Sequence, residues 1–165
     1  MGSRRHRVNI NEPRQAHELT FSCYRRFPFL QAERTCRWLA DSLDRARQEL
    51  NFAVWAWVFM PDHAHVIVYI REDTYDIGKI RRSIKGPVGR KAIAWLSENP
   101  PEWLPRITRQ RGRRTERLFW QSGRGYDRNV VTKVTLLSMI DYLHENPARK
   151  ELGARLELVE RRVVR

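Results

Sequence analysis

The chain has 165 residues and a mass of 19.8 kDa, the size of one ordinary domain. Its 41% hydrophobic content suits a folded core, and its longest apolar run, Phe52 to Met60, is about half of what a membrane span needs. The formal net charge is +13, from 32 Lys and Arg against 19 Asp and Glu. This excess predicts a polyanionic partner, and the lack of a basic helix with a strongly apolar face favours nucleic acid over lipid.

Cysteine usage indicates a reducing compartment. The two cysteines, Cys23 and Cys36, are too few for a disulfide framework and are not spaced for zinc. No secretory leader is recognisable at the start of the sequence. We therefore expect a cytoplasmic protein with no membrane association, built as a single domain over residues 1–165.

The first half of the chain predicts a strand, a helix and a hairpin. His17 to Tyr24 alternates between polar and apolar residues, which is typical of a strand. Apolar residues then recur at steps of three and four from Ala32 to Leu50, which predicts an amphipathic helix with Cys36 in its buried stripe. Two strands at 52–59 and 63–70 flank a Pro-Asp turn, so they should form an antiparallel hairpin.

The second half predicts a basic helix, a polar loop, a fourth strand and a last helix. The basic helix begins at Ile77 and should break or kink at Gly86-Pro87. An arginine-rich loop at 106–117 precedes a short strand at 118–121 and a glycine-containing bend, and the last helix runs from Thr132 to Asn146. This order predicts an α+β fold of the ferredoxin-like type, an antiparallel sheet packed with helices plus one extra C-terminal helix.

His63 and His65 are the sharpest local feature of the sequence. Residues two apart in a strand project to the same face, so both imidazoles should lie together while Ala64 and Val66 face the core. Two neutral imidazoles form half of a metal site. Two strand histidines without any ligand are the alternative interpretation.

A second feature lies at the end of the last helix, where Tyr142 and Asn146 are four residues apart and share a face. A lone helical tyrosine usually packs at an interface, and an asparagine before proline is a common helix end. The combination with the histidine pair is what makes these two residues candidates for a site.

Three motifs in this order resemble the single-tyrosine HUH transposases. Met60–Val68 reads Met-Pro-Asp-His-Ala-His-Val-Ile-Val and is similar to the His-hydrophobic-His strand of that family. Phe119–Gln121 and the segment 142–153 are similar to the branch of REP-associated tyrosine transposases. The resemblance covers about 17–153 and leaves a basic N-terminal arm and a charged C-terminal tail outside it.

The resemblance implies tyrosine transposase chemistry. Tyr142, on the C-terminal helix, would attack a phosphodiester of single-stranded DNA, form a 5′-phosphotyrosine link and release a 3′-hydroxyl. His63, His65 and Asn146 would hold a divalent metal ion, Mg²⁺ or Mn²⁺. A bound cation would offset the charge of the phosphoryl oxygens, and zinc stays open because imidazole ligands suit it.

Basic side chains predict the binding surface for single-stranded or hairpin DNA, in a monomer or a homodimer. They lie in the N-terminal arm, on the expected outer side of the basic helix and in the arginine-rich loop: Arg4, Arg5, Arg7, Lys79, Arg81, Arg82, Lys85, Arg90, Lys91, Arg109, Arg111, Arg113 and Arg114.

Two other functions stay open at this point. A non-catalytic ferredoxin-like module could bind nucleic acid by stacking alone, and a metal-dependent nuclease could use water and leave Tyr142 structural. Tyr126, which follows the Gly-Arg-Gly bend on a segment predicted to be flexible, is a rival nucleophile. A covalent protein–DNA adduct distinguishes these possibilities, because only a tyrosine mechanism forms one.

Overall fold

The computed structural model describes residues 13–99, 102–123, 125–130, 134 and 137–142. Six strands are described: β1 (Ala16–Ser22), β2 (Phe52–Met60), β3 (His63–Ile70), β4 (Thr108–Arg111), β5 (Arg114–Arg117) and β6 (Tyr126–Val130). The helices are α1 (Glu33–Glu49), α2 (Ile77–Glu98), α3 (Trp103–Ile107) and the helical residues 137–142, named α4. None of the described helices is long and apolar enough to cross a membrane.

The main sheet has four antiparallel strands in the order β2-β3-β1-β6. The helices α1 and α2 pack against each other and against this sheet. The two central strands, β1 and β3, are neighbours in the sheet, but in the chain they are separated by α1 and β2. This arrangement confirms the predicted α+β, ferredoxin-like architecture.

Two apolar clusters lie on opposite faces of the sheet. The larger cluster joins Leu19 and Phe21 of β1 and Val66 and Val68 of β3 to both long helices. The helical members include Leu39, Leu43 and Ala46 of α1 and Ile77, Ile80, Ile84, Val88 and Ala92 of α2. The smaller cluster lies on the other face and consists of Ala16, Val58, Met60, Ile67, Val130 and Met139. We call the first the helical face and the second the open face.

The segment after α2 differs from the sequence prediction. The loop predicted at 106–117 contains the end of α3 and a two-stranded hairpin of β4 and β5. The strand predicted at 118–121 is reduced to one isolated bridge between Trp120 and Cys23. The fourth strand of the sheet is instead β6, which the sequence analysis missed because its residues 127–129 are polar and it pairs only at the edge, with β1.

The bend before β6 is required by a close backbone approach. Gly123 and Gly125 both have positive φ angles, of 107° and 71°. A Cβ atom at Gly125 would lie 2.7 Å from the carbonyl oxygen of Thr20, closer than non-bonded atoms approach. Glycine at 125 therefore lets the chain enter the edge of the sheet beside β1.

Helix α2 continues through Pro87, so the predicted break is wrong. Because proline has no N–H, the carbonyl of Ser83 lacks its usual helical donor. Ser42 of α1 places its Oγ 2.8 Å from the Ile84 carbonyl oxygen and 3.3 Å from that of Ser83, and Arg45 donates to the Ser83 carbonyl at 3.4 Å. The neighbouring helix thus provides the donors that Pro87 cannot.

Both cysteines are protonated core thiols. Burial, and secondly the charge of Asp62, raises the pKa of Cys23 to about 12. Burial also raises the pKa of Cys36, whose Sγ donates to the Leu30 carbonyl at 2.9 Å. The prediction that Cys36 lies in the apolar stripe of α1 is confirmed, since it is partly buried and packs against the larger cluster.

Replacement of Ser42 tests the contact that accommodates Pro87. We expect Ser42→Ala to lower the free energy of unfolding by about 1–2 kcal/mol, because the hydroxyl that bonds the buried Ile84 carbonyl is lost. Urea denaturation monitored by circular dichroism measures the change. The matched control is Ser97→Ala, an exposed serine bonded to the Ile93 carbonyl of its own helix, which should stay within about 0.5 kcal/mol of the wild type. Equal losses in the two variants would contradict this account.

Candidate active site

His63 and His65 lie side by side on the open face, as predicted. Their ring centroids are 5.0 Å apart and the ring planes are nearly perpendicular. The intervening Ala64 is fully buried on the helical face. Strand alternation therefore brings both imidazoles to one surface.

The Nδ1 atom of His63 is held by the residue before it in the chain. It lies 2.6 Å from Oδ1 of Asp62, and Oδ2 of Asp62 lies 3.2 Å from Arg26. Burial lowers the pKa of His63, although the hydrogen bond and charge of Asp62 oppose the shift. The imidazole is accordingly neutral near pH 7, with its proton on Nδ1, because a carboxylate can only accept.

His65 receives equivalent support from the neighbouring strand. The register of β1 against β3 places Thr20 directly opposite His65. Thr20 Oγ1 lies 3.0 Å from Nδ1 of His65, and Oε1 of Glu18 lies 3.3 Å from the same atom. A carboxylate at this distance favours the proton on Nδ1. The sequence analysis missed Glu18 and Thr20, which are found only once the strand register is known.

These contacts leave the Nε2 atoms of both histidines as the candidate metal ligands. Neutral imidazoles whose other nitrogen is held by an oxygen acceptor are the usual form of metal-binding histidine. Within the described ranges, no three His, Cys, Asp or Glu side chains form a group that could hold a metal ion. The described residues therefore offer two candidate metal ligands, His63 and His65, with no third His, Cys, Asp or Glu placed to complete the group.

Tyr142 lies beside the histidine pair at the end of α4. Its ring centroid is 6.4 Å from that of His65, with the rings edge to face. The side chain is 48% exposed. On the same helix Met139 belongs to the small open-face cluster and Ile140 packs against it, which fixes α4 over the sheet. The predicted juxtaposition of Tyr142 with the histidines is thus present.

Asn146 lies outside the described residues, as do Arg4, Arg5 and Arg7 of the N-terminal arm. Tyr126 begins β6 and pairs in register with Thr20. The segment predicted to be flexible is therefore part of the sheet.

The basic residues of α2 lie across the sheet from the histidines. The exposed members are Lys79, Arg82, Arg90 and Lys91. Arg81 is only 5% exposed, so its predicted place on the outer side is wrong: it lies four residues after Ile77, on the packed side of the helix. Lys85, one turn further on, is partly buried, and burial followed by the charge of Arg81 lowers the pKa of Lys85.

The arginine-rich hairpin is anchored at the same end of the sheet as His63. Backbone hydrogen bonds join Gln121 to Ser22, at the end of β1, and Cys23 to Asp62. Arg109 is tied to Glu116 at 2.7 Å and lies 2.9 Å from Ser122. The exposed arginines of the hairpin are Arg111, Arg113, Arg114 and Arg117.

Arg128 is a further cation on the open face that the sequence analysis did not select. It lies opposite Glu18 in the pairing of β1 with β6, and its side chain is exposed. Directly opposite residues project to the same face of a sheet. Arg128 therefore belongs to the same surface as the histidine pair.

Replacement of Asp62 tests the support of His63. Asp62→Asn removes the negative charge that favours the protonated ring, so we expect the pKa of His63 to fall further. Long-range ¹H–¹⁵N spectra recorded against pH in the presence of a chelator measure this pKa. Glu33→Gln is the control, because it removes an exposed carboxylate that pairs with Arg37 at 3.2 Å. A His63 pKa that rises in Asp62→Asn would contradict the assignment.

Two solved structures share this architecture. A REP-associated tyrosine transposase bound to a REP hairpin aligns with 88% of this chain and 73% of its own chain, at 18% identity and a TM-score of 0.64. A Deinococcus radiodurans protein described as a transposase aligns with 87% of this chain and 96% of its own, at 17% identity and a TM-score of 0.52. A scan against protein-family models finds no match, and a search of curated proteins finds none that is significant. The resemblance inferred from the motifs is confirmed for the fold: the chain has the α+β fold of these transposases.

Proposed function

We propose that this protein is a metal-dependent tyrosine transposase that nicks and joins single-stranded DNA. The observation that carries the proposal is the edge-to-face contact between the rings of Tyr142 and His65. Nδ1 of His65 lies beside Thr20, and Nδ1 of the neighbouring His63 lies beside Asp62. A tyrosine nucleophile next to two imidazole rings that can hold a metal ion is the arrangement that phosphoryl transfer to a tyrosine needs.

In the proposed step, the phenolate oxygen of Tyr142 bonds to the phosphorus of the scissile phosphodiester. The bond from phosphorus to the 3′ oxygen breaks, and that oxygen takes up a proton and leaves as a 3′-hydroxyl. The 5′-phosphotyrosine preserves the energy of the bond, so a second 3′-hydroxyl can reverse the step and join a new strand. Neither direction needs an external energy source.

The chain's own residues position the reacting groups. Asp62 holds His63, while Thr20 and Glu18 lie at Nδ1 of His65, so both rings present Nε2 to the open face. Asn146 is proposed as the third ligand. When bound there, a divalent ion such as Mg²⁺ or Mn²⁺ would withdraw charge from the phosphoryl oxygens.

The proposed partner is single-stranded DNA next to a hairpin. One transposase of the same fold is bound to a REP hairpin. Here the exposed arginines of the β4–β5 hairpin project from the end of the sheet that holds His63, and Arg128 lies on the open face. The forked guanidinium group of arginine can form two hydrogen bonds to phosphate oxygens. We therefore propose that these side chains bind the DNA backbone.

Replacement of Tyr142 tests the chemistry. Tyr142→Phe removes one oxygen from a half-exposed ring and should leave folding and DNA binding unchanged. We expect the variant to give neither strand cleavage nor a covalent adduct. The measurement is denaturing electrophoresis of the protein after incubation with end-labelled hairpin DNA and Mn²⁺.

The matched control is Tyr126→Phe, which should retain both cleavage and adduct. Cleavage that persists in Tyr142→Phe without an adduct would indicate a nuclease that uses water. An adduct lost in Tyr126→Phe but retained in Tyr142→Phe would move the nucleophile to β6.

Replacement of the histidines tests the metal site independently of the chemistry. We expect His63→Ala and His65→Ala each to weaken Mn²⁺ binding by about tenfold or more, since each removes one ligand. Asn146→Ala should act in the same direction. Electron paramagnetic resonance of free Mn²⁺ measures the affinity, and DNA binding in a chelator should survive because it depends on basic side chains. Unchanged Mn²⁺ affinity in the double histidine variant would exclude this site.

A further inference from the structure

An exposed aromatic stack lies on the open face at the edge of the sheet. The rings of Trp55 on β2 and Tyr69 on β3 are nearly parallel, at 8°, with centroids 4.7 Å apart. Trp55 is 43% exposed although one face of its indole is covered by Tyr69. The opposite face of the indole is therefore open to solvent.

A β-bulge produces this geometry. The register of β2 against β3 shifts between Val54 and Ala56, so Trp55 is an extra residue without a partner in the ladder. Bulges redirect side chains and recur next to functional sites. Trp57, by contrast, packs against the core on the helical face. Of these two tryptophans, Trp55 is thus the one presented to a ligand.

The stack is aligned with the histidine pair. His63, His65 and Tyr69 alternate along β3 on the same face. Tyr69 lies four residues beyond His65, which corresponds to about 13 Å along the strand. A DNA strand whose scissile phosphate lies between Tyr142 and the histidines can therefore reach Trp55 within a few nucleotides.

We propose that Trp55 and Tyr69 form a stacking site for one unpaired base of the single strand that Tyr142 cleaves. This inference rests on the proposed function, since it names a subsite of the same DNA. The base would lie on the open face of the Trp55 indole and extend the stack Trp55–Tyr69. Its neighbouring phosphates would meet a strongly cationic protein, with a net charge of +13.

The chemistry of the site favours single-stranded DNA over a protein partner. Indole and phenol rings stack on every base, because each base has a π-face, and such stacking tolerates any sequence. A paired base inside a duplex does not expose its face, so the site selects unpaired nucleotides. The stacking site would position the DNA strand relative to the histidines without recognising its base sequence.

The test combines protein variants with abasic DNA. Affinity is measured by fluorescence anisotropy, in a chelator, with a labelled DNA hairpin that carries a mixed-sequence single-stranded extension. We expect Trp55→Ala to raise the dissociation constant about 5- to 150-fold, the range that corresponds to loss of one stacked base. Trp55→Phe keeps a ring and should recover most of the affinity. The matched control is Trp95→Ala in α2, whose ring lies under Arg34 away from the open face and should have no effect.

Abasic residues placed one at a time along the extension locate the base. In the wild type, one position should cost affinity to a similar extent as Trp55→Ala. In Trp55→Ala that same abasic position should cost nothing further, because the base has already lost its partner. If Trp55→Ala folds poorly, the wild-type series still decides the matter, because no single abasic position would cost affinity if no base were stacked.

The outcomes separate this inference from the proposed function. Coupling between Trp55 and one base supports the stacking site even if no Tyr142 adduct forms, a result that would overturn the chemistry alone. Three results would each overturn the stacking site. These are equal affinities of wild type and Trp55→Ala, equal losses of affinity in Trp55→Ala and Trp95→Ala, and the absence of any abasic position coupled to Trp55. A wild type that does not bind the extension at all would overturn both.

Discussion

The pairing of β1 with β3 is the contact on which the rest of the molecule depends. It joins the two central strands of the sheet across a long stretch of sequence and places Thr20 opposite His65 and Ser22 opposite His63. A slip of one residue would turn Leu19 and Phe21 out of the core and move Thr20 and Glu18 away from the histidine. One register therefore determines both the packing of the core and the support of the site.

The two faces of the sheet differ in how much apolar surface they bury. The helical face holds the large apolar cluster, where the buried side chains of α1 and α2 meet those of β1 and β3. The open face holds a cluster of six buried residues, one of which is Met139 of α4, beside the polar side chains of the site. Because most of the apolar burial lies on the helical face, the hydrophobic stabilisation is concentrated there. The open face can accordingly carry exposed rings such as Trp55 and Tyr142.

Local patterns account for what the sequence could predict, and long-range pairing accounts for what it could not. The apolar runs at 52–59 and 63–70 and the Pro-Asp turn between them predicted the β2–β3 hairpin, and the two-residue spacing of His63 and His65 predicted their shared face. Strand β6 was not predicted because its pairing partner, β1, lies more than a hundred residues earlier in the chain. Glu18 was not predicted as a site residue for the same reason, since only the strand register shows that it lies beside His65. The continuity of α2 through Pro87 depends on Ser42 and Arg45 of another helix.

The positive charge of the molecule is divided between regions that the sheet separates. The exposed cations of α2 lie beyond the helical face, whereas the β4–β5 hairpin projects from the end of the sheet near His63. Salt screens the attraction between exposed cations and phosphate beyond a Debye length of about 8–10 Å, but it has little effect on a short, partly buried contact such as that of His63 with Asp62. Affinity for a polyanion and the geometry of the site are therefore physically separable. A change in ionic strength would alter the attraction of the exposed cations for a polyanion, while the orientation of the two imidazoles stays fixed by β1 and by the turn before β3.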